Sequence, residues 1–149
     1  MNLAPDKLVE LEETAYQIRR LCVEMITYAR WGHIGGSFSM AEILAALYFQ
    51  AMRVDPARPQ WPERDRLVLS KAHGSPAVYA ALALRGYYPV ERIYSYCELG
   101  GLEGHTDLTC TPGIESSGGP LGMGLSIAAG MALGLRYQEN PRARVYCLM

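Results

Sequence analysis

The chain opens with apolar residues at alternating steps of three and four, the spacing that lines one face of a helix. This pattern predicts a helix from about Asp6 to Ala29. The "GHIGG" segment at 32–36 then breaks the pattern, and Ser39 followed by Glu42 forms a capping-box signal that predicts a second helix starting there. The residues of the first apolar face are Leu8, Leu11, Ala15, Ile18, Cys22, Met25 and Ala29.

The pattern in the middle of the chain predicts a surface connection, then a strand, then a helix. Residues 55–65, "DPARPQWPERD", hold three prolines and five charges and predict a surface connection. The apolar run "RLVLS" at 66–70 predicts a buried strand. After it, Ser75 and Pro76 are typical of a helix start, and Gly86 is typical of a helix end.

The rest of the chain adds two predicted helices and a second strand. A helix is predicted for 89–97, a loop for 99–113, a long helix for about 121–137 and a strand for 144–149. Strands that alternate with helices indicate an α/β fold with a parallel sheet flanked by helices, in which ligands gather at the carboxyl ends of the strands. In the long helix a small residue recurs every fourth position, which predicts close packing against a partner helix or subunit. These small residues are Gly122, Ser126, Gly130 and Gly134.

Composition narrows the function classes. A net charge of −1 without a basic run gives no electrostatic reason to expect nucleic acid or an anionic membrane as a partner. The four cysteines form no CxxC pair and the first residues are acidic, which predicts a reduced, cytoplasmic protein. The uncharged stretch 116–135 is only moderately apolar and contains six glycines, so a buried helix is favoured over a membrane span.

The candidate chemistry lies in three histidines that each adjoin a glycine. The pairs are Gly32-His33, His73-Gly74 and Gly104-His105. Glycine lets a backbone approach a ligand closely, so we expect the three loops to share one cleft. Zinc is the alternative ligand, but the histidines are 40 and 32 residues apart and no closely spaced pair orients two of them. The "SGGPLGMG" stretch at 117–124 precedes a helix and fits either anion binding or close packing.

Five motifs together carry a family resemblance. From about residue 8 onward, their order and spacing resemble the N-terminal cofactor-binding region of transketolases, most closely the small N-terminal subunits of split, two-gene transketolases. A single GHxGG motif would not be specific, whereas five ordered motifs are. The motifs are "GHIGGSFSMAEILAALYF", "MRVDP", "DRLVLSKAHG", "LGGLEGHTD" and "PGIESSGGPLGMGLSIAAGMALG".

The resemblance implies a thiamine diphosphate-binding fold and a transketolase of the pentose phosphate pathway type. Such enzymes use thiamine diphosphate and Mg²⁺ to move a two-carbon ketol unit from a ketose phosphate to an aldose phosphate. It implies catalytic roles for His33, near the reacting carbons, and His105, near the cofactor and the donor hydroxyls. The resemblance also implies that His73 forms a hydrogen bond with the cofactor diphosphate. The residues implied to lie against the aminopyrimidine and thiazolium rings are Gly119, Pro120 and Leu121.

The resemblance also implies parts outside these residues. Residues 1–149 correspond to the N-terminal part of the pyrophosphate domain and stop one residue before the family's Gly-Asp-Gly loop, so we expect a C-terminally truncated fragment and Mg²⁺ ligands beyond residue 149. The acid that activates the aminopyrimidine belongs to a pyrimidine-domain subunit, which implies a heterotetramer. We therefore expect no catalysis from these residues alone.

Some positions depart from the family pattern. Ala72 precedes and Gly74 follows the second histidine, the reverse of the usual order, and Ala72 would be strained if the loop required a positive φ there. Thr106 replaces a frequent proline and Met123 a frequent glutamine. Two alternatives stay open: a deoxyxylulose phosphate synthase-like enzyme, and a non-catalytic assembly or regulatory module that keeps the fold.

Overall fold

Among residues 3–149, which the computed structural model describes, the chain forms five α-helices and two β-strands. A π-helical turn at Leu47–Ala51 extends the third helix, and 3₁₀ helices cover Ala72–Gly74 and Val90–Ser95. The regular elements are α1 (Pro5–Ala29), α2 (Ile34–Phe38), α3 (Ala41–Ala46), β1 (Arg66–Leu69), α4 (Ser75–Arg85), α5 (Met123–Tyr137) and β2 (Val145–Leu148).

The two strands form a parallel sheet in which Arg66 lies opposite Val145 and Leu69 lies opposite Leu148. Asp65 fixes the start of both strands, because its carboxylate accepts hydrogen bonds from the backbone N–H groups of Arg53 and Arg144, both at 2.8 Å. Helix α5 packs against both strands, and α1 to α4 form the rest of the layer around the core. The predicted α/β fold with a parallel sheet flanked by helices is confirmed.

Helix α4 is the centre of the core. Every residue from Ser75 to Ala83 is buried, and four alanines among them let neighbouring helices approach closely. The predicted face of α1 packs there through Leu11, Ala15, Ile18, Cys22 and Met25, although Leu8 at its start is half exposed. Gly86 ends α4 with a φ of 94°, as the sequence predicts.

Several local predictions need correction. The capping box is wrong: α3 begins at Ala41, and the Ser39 hydroxyl instead donates to the Gly36 carbonyl at 3.1 Å and accepts from Lys71 Nζ at 2.7 Å. The helical pattern is interrupted before His33, as predicted, but residues Ile34–Phe38 then form the short helix α2, which was not predicted. The 89–97 helix is a shorter 3₁₀ helix, and the long helix begins at Met123.

Helix α5 is largely exposed within this chain, which contradicts the interpretation of 116–135 as a buried helix. Of its residues only Gly124, Ala128 and Leu135 are buried. A Cβ added at Gly130 or Gly134 would meet nothing within 4 Å. The small-residue face therefore has open space around it, and its packing against a partner stays a prediction.

Candidate functional site

The structure brings the three predicted histidine loops together. The ring centroids of His33 and His73 lie 5.5 Å apart in an edge-to-face arrangement. The indole of Trp31 lies between His33 and His105, with centroid distances of 5.7 Å to the His33 ring and 6.3 Å to the His105 ring. The three imidazoles, separated by 40 and 32 residues in sequence, thus belong to one cluster beside the carboxyl end of β1.

The His33 loop is built by a sharp end to α1. Arg30 takes the left-handed conformation with a φ of 54°, and Gly32 follows with a φ of 140° that favours glycine. A Cβ at Gly32 would also lie 2.7 Å from Ile26 Cγ1. The His33 carbonyl accepts a 2.8 Å hydrogen bond from the Ser37 hydroxyl, so the backbone is fixed and the imidazole projects outward.

His73 lies in the 3₁₀ turn that follows β1, and its ring packs directly against the backbone of Gly36. A Cβ at Gly36 would lie 2.6 Å from His73 Cδ2 and 2.7 Å from its Nε2, so the ring occupies the space that a side chain would need. A Cβ at Gly74 would meet the Gly36 carbonyl at 3.3 Å and Met40 Cε at 2.7 Å. Ala72 has no positive φ, so the reversed Ala-His-Gly order causes no backbone strain.

Hydroxyl groups from the core hold the His105 loop. Tyr79 Oη donates to the His105 carbonyl at 2.9 Å, and Ser75 Oγ donates to the Gly104 carbonyl at 2.8 Å. Tyr96 Oη adds a 3.3 Å hydrogen bond to the same Gly104 carbonyl. Since α4 carries both Ser75 and Tyr79, the buried helix sets the position of this loop.

The glycine-rich stretch lies across the same edge of the sheet. The Gly118 N–H donates to the Thr106 carbonyl at 2.8 Å, and the Gly122 N–H donates to the Ser70 carbonyl at 3.3 Å. A Cβ at Gly118 would lie 2.8 Å from Ala72 Cβ. Residue 118 therefore touches the neighbours in sequence of two site histidines. The predicted cofactor contacts that follow it are Gly119, which is half-buried, and Pro120 and Leu121, which are exposed.

Two buried hydroxyls beside this stretch have no hydrogen-bond partner among the described residues. They are Thr106 Oγ1 and Ser70 Oγ, and both side chains are about 3% exposed. The Thr106 oxygen lies 2.9 Å from where a Gly118 Cβ would be, and the Ser70 Cβ lies 2.8 Å from where a Gly124 Cβ would be. Because an unpaired buried hydroxyl costs roughly 1–3 kcal/mol, this edge carries polar groups that a polar ligand or a water molecule would satisfy.

The surroundings of His73 lower the pKa of its imidazole. Burial lowers the pKa of His73 below its ordinary value, and the nearby His33 lowers that pKa further. Lys71 and His105 act on the His73 pKa in the same direction. His73 is thus neutral at neutral pH and carries one ring N–H donor, while the Lys71 ammonium supplies a positive charge nearby.

Other features of the described residues lie outside this cluster. No group of three or more His, Cys, Asp or Glu side chains in residues 3–149 is arranged to hold a metal ion. No helix in that range is long and apolar enough to cross a membrane. A groove of about 710 Å³ lies between α5 and β2, where Leu135, Arg136 and Tyr146 contribute to its walls.

Comparison with known proteins identifies the family. Residues 11–144 match the family described as the thiamine diphosphate binding domain of transketolase, which is most of the chain. The chain belongs to the N-terminal transketolase family. It is 49% identical over 137 residues to the 6-deoxy-6-sulfo-D-fructose transketolase subunit SqwG of Clostridium sp. (strain MSTE9), covering 91% of this chain and 50% of that protein.

Other members of the transketolase family agree with this assignment. One of the subunits of the apulose-4-phosphate transketolase of Phocaeicola vulgatus is 39% identical over 140 residues, covering 93% of this chain and 49% of that protein. The solved transketolase of Leishmania mexicana superposes with a TM-score of 0.85 at 30% identity, covering 92% of this chain and 22% of that one. The chain spans about half the length of the split-subunit relatives.

This transketolase-family site also contains residues that were not predicted from the sequence. Trp31 directly precedes the first Gly-His pair, and its aromatic side chain was the available signal. Lys71 lies two residues before His73 and reaches the Ser39 hydroxyl of the neighbouring loop. Tyr79 gave no signal, because it contacts His105 across 26 residues of sequence.

Proposed function

We propose that this chain is the N-terminal subunit of a split transketolase, with residues 1–149 forming the N-terminal part of its pyrophosphate domain. The enzyme moves a two-carbon ketol unit from a ketose phosphate to an aldose phosphate. The observation that carries the proposal is the convergence of three Gly-flanked histidine loops at the edge of the sheet in a thiamine diphosphate-binding family. The relatives described above are transketolases, which favours this activity over the two alternatives.

The residues at this edge fit a diphosphate-bearing cofactor. Gly36 and Gly118 bring the backbone of their loops against His73 and Ala72. The Thr106 hydroxyl has no hydrogen-bond partner among the described residues, and Lys71 brings a positive charge. His73 would donate an N–H hydrogen bond to the diphosphate. When bound, thiamine diphosphate supplies the carbanion chemistry of ketol transfer. The segment that would lie against its rings is Gly119, Pro120 and Leu121.

The other two histidines would act on the substrate. His33 is exposed at the mouth of the cluster, where its imidazole can hold or move a proton near the reacting carbons. His105 is half-buried on a loop held by three hydroxyls, which suits a group that orients the donor hydroxyls and contacts the cofactor. Both imidazoles flank Trp31, so a sugar chain placed there reaches both.

The complete enzyme needs further parts. We propose that Mg²⁺ would be held by residues outside 1–149 and would offset the charge of the diphosphate. We also propose that a pyrimidine-domain subunit completes a heterotetramer and supplies the activating acid. One relative is named for a sulfonated sugar, 6-deoxy-6-sulfo-D-fructose, and another for a sugar phosphate, apulose 4-phosphate. We propose sugar phosphates as the substrate class here and name no individual sugar. A cytoplasmic location and a place in pentose phosphate metabolism belong to the same proposal.

The test is reconstitution of the full-length chain with its partner subunit, thiamine diphosphate and Mg²⁺. With D-fructose 6-phosphate as donor and D-ribose 5-phosphate as acceptor, we expect ketol transfer that requires both subunits. His33→Ala and His73→Ala should each lower the activity at least about a hundredfold. If no ketose phosphate in a panel of donors supported transfer, the proposed activity would be refuted. Transfer by residues 1–149 alone would refute the need for a partner.

A further inference from the structure

Trp31 presents a large apolar surface in the middle of a polar site. Its side chain is 46% exposed, although the indole lies edge to face with the imidazoles of His33 and His105. On its inner side it meets the Tyr96 ring, with centroids 6.2 Å apart. Single exposed aromatic residues are common on protein surfaces, but this indole lies between two imidazoles of the candidate site, which makes its exposed face a candidate ligand contact.

The position of the indole is fixed from two sides. The left-handed Arg30 and the glycine at 32 set the backbone that precedes His33. On the other side, a Cβ at Gly104 would lie 2.9 Å from Trp31 Cζ3 and 3.1 Å from its Cη2, so the indole rests on bare backbone. The Gly104 carbonyl is held by Ser75 and Tyr96. The site therefore offers a rigid aromatic face, which binds with little loss of conformational freedom.

We propose that Trp31 is a substrate-contacting residue, whose exposed indole face forms the apolar wall for the carbon chain of a sugar phosphate between His33 and His105. The inference rests on the proposed transketolase function. An open-chain sugar has C–H groups on its carbon backbone and hydroxyls around them, so it can lay C–H groups on the indole while its hydroxyls reach the flanking imidazoles. The same contact removes water from beside both imidazoles and strengthens their polar interactions.

Steady-state kinetics test this contact in the reconstituted full-length enzyme with thiamine diphosphate and Mg²⁺. Trp31→Ala should raise the KM for D-fructose 6-phosphate about fivefold. We expect a change in kcat below about twofold and unchanged affinity for thiamine diphosphate. Trp31→Phe, which keeps an aromatic face, should lie between the parent and Trp31→Ala. An unchanged KM, or a loss of cofactor affinity with an unchanged KM, would overturn the proposal.

A spectroscopic readout separates this inference from the proposed activity. The N-terminal chain is labelled with 5-fluorotryptophan, and the ¹⁹F resonance of Trp31 is the one that disappears in Trp31→Phe. Trp61 is the internal control, because its ring lies under the Arg58 and Arg53 guanidinium groups, 5.3 and 6.0 Å from its centroid. Adding D-fructose 6-phosphate to the assembled enzyme should shift the Trp31 resonance saturably and leave that of Trp61 in place.

The outcomes are distinguishable. If the parent enzyme shows no ketol transfer, the proposed function fails, and a saturable Trp31 shift with the same sugar phosphate still supports the contact. A Trp31 resonance that stays unchanged with the sugar phosphate overturns the contact whatever the activity. If it shifts only when the partner chain is added, Trp31 belongs to the interface between the two chains and the proposal is wrong.

Discussion

At the scale of single residues, the site depends on glycines placed where a side chain from another loop passes. Gly36 makes room for the His73 ring, and Gly104 makes room for the Trp31 indole. The glycines beside the three histidines all lie in tight contact with neighbouring groups, and only Gly32 among them also has a positive φ. Close approach therefore matters at more of these positions than left-handed backbone does.

The contact between Gly36 and His73 gives the first prediction. Gly36→Ala should displace the His73 ring, because the new Cβ would lie 2.6 Å from it, and should weaken thiamine diphosphate binding to the assembled enzyme about tenfold or more. Gly35→Ala is the matched control, since a Cβ there meets nothing within 4 Å in the same short helix. Calorimetric titration measures both variants. Equal affinities for the two would contradict the proposed role of His73.

The pKa of His73 gives the second prediction. Burial and the nearby His33 lower this pKa below its ordinary value of about 6.5. His33→Gln removes one of these causes and should raise the His73 pKa, as measured by an NMR titration of the imidazole. In the unfolded chain His73 has its ordinary pKa of about 6.5, so it binds a proton at a higher pH than it does in the folded chain. Protonation of His73 therefore does not reduce the free energy of unfolding above pH about 6.5. It reduces that free energy as the pH falls from there through the folded pKa. A His73 pKa that stays unchanged in His33→Gln would show that the two rings are not coupled.

The sequence predicted the histidines of the site but not most of the groups that hold them. Each histidine carried a local signal, the adjacent glycine. The support of the His105 loop by Ser75 and Tyr79 comes from tertiary packing of residues 26 to 29 positions away, which no local pattern reveals. Ser39 shows the same limit: the pattern predicted a helix cap, and the hydroxyl instead joins Lys71 to the next loop.

At the scale of elements, a buried ion pair joins the segment before β1 to the loop that carries the glycine-rich stretch. The Arg64 guanidinium binds the Glu115 carboxylate through two hydrogen bonds of 2.8 and 2.7 Å, and both side chains are about nine-tenths buried. The segment 55–65 was predicted as a surface connection, yet its last two residues, Arg64 and Asp65, are buried. Their burial could not be predicted from the pattern of apolar residues, because both side chains are charged.

This ion pair gives the third prediction. Glu115→Gln leaves the Arg64 charge buried without its partner and should lower the free energy of unfolding by about 3 kcal/mol in urea denaturation. The control is Glu10→Gln, which breaks the exposed Lys7–Glu10 pair and should change that free energy by less than about 1 kcal/mol. Similar effects from the two substitutions would mean that the buried pair has no special structural role.

Helix α5 gives the fourth prediction. Since a Cβ at Gly130 has open space within this chain, Gly130→Leu should leave the isolated chain folded and raise its helical stability slightly. If the small-residue face packs against a partner, the same leucine should prevent association by overpacking. Thermal denaturation and analytical ultracentrifugation measure the two effects. An assembly that forms normally with Gly130→Leu would refute the predicted packing of this face.

Elements with a strong local pattern were predicted well. The spacing in α1, the apolar run of β1 and the glycine stop of α4 all appear within a residue or two of their predicted positions. The exposure of α5 was not predicted, because an apolar composition does not say which surface covers a helix. No sequence pattern distinguished the 3₁₀ helix at Val90–Ser95 from the α-helix that was predicted there.

At the scale of the whole molecule, a helical core holds loops at the carboxyl end of a parallel strand. Helix α4 follows β1 directly, is buried over most of its length, and carries the hydroxyls that fix the His105 loop. The alternation of strands and helices predicted this α/β fold, and the order of five motifs predicted its family. How the three loops meet could not be read from the sequence, since their contacts join segments tens of residues apart.

We propose that all three imidazoles serve one bound cofactor and its substrate. The most direct measurement is a crystal structure of the full-length chain assembled with its partner subunit, thiamine diphosphate and Mg²⁺. We expect a His73 imidazole nitrogen within hydrogen-bond distance of a diphosphate oxygen, with the rings of His33 and His105 lining the same cavity. A cofactor bound elsewhere, with the histidine cluster facing solvent, would contradict it.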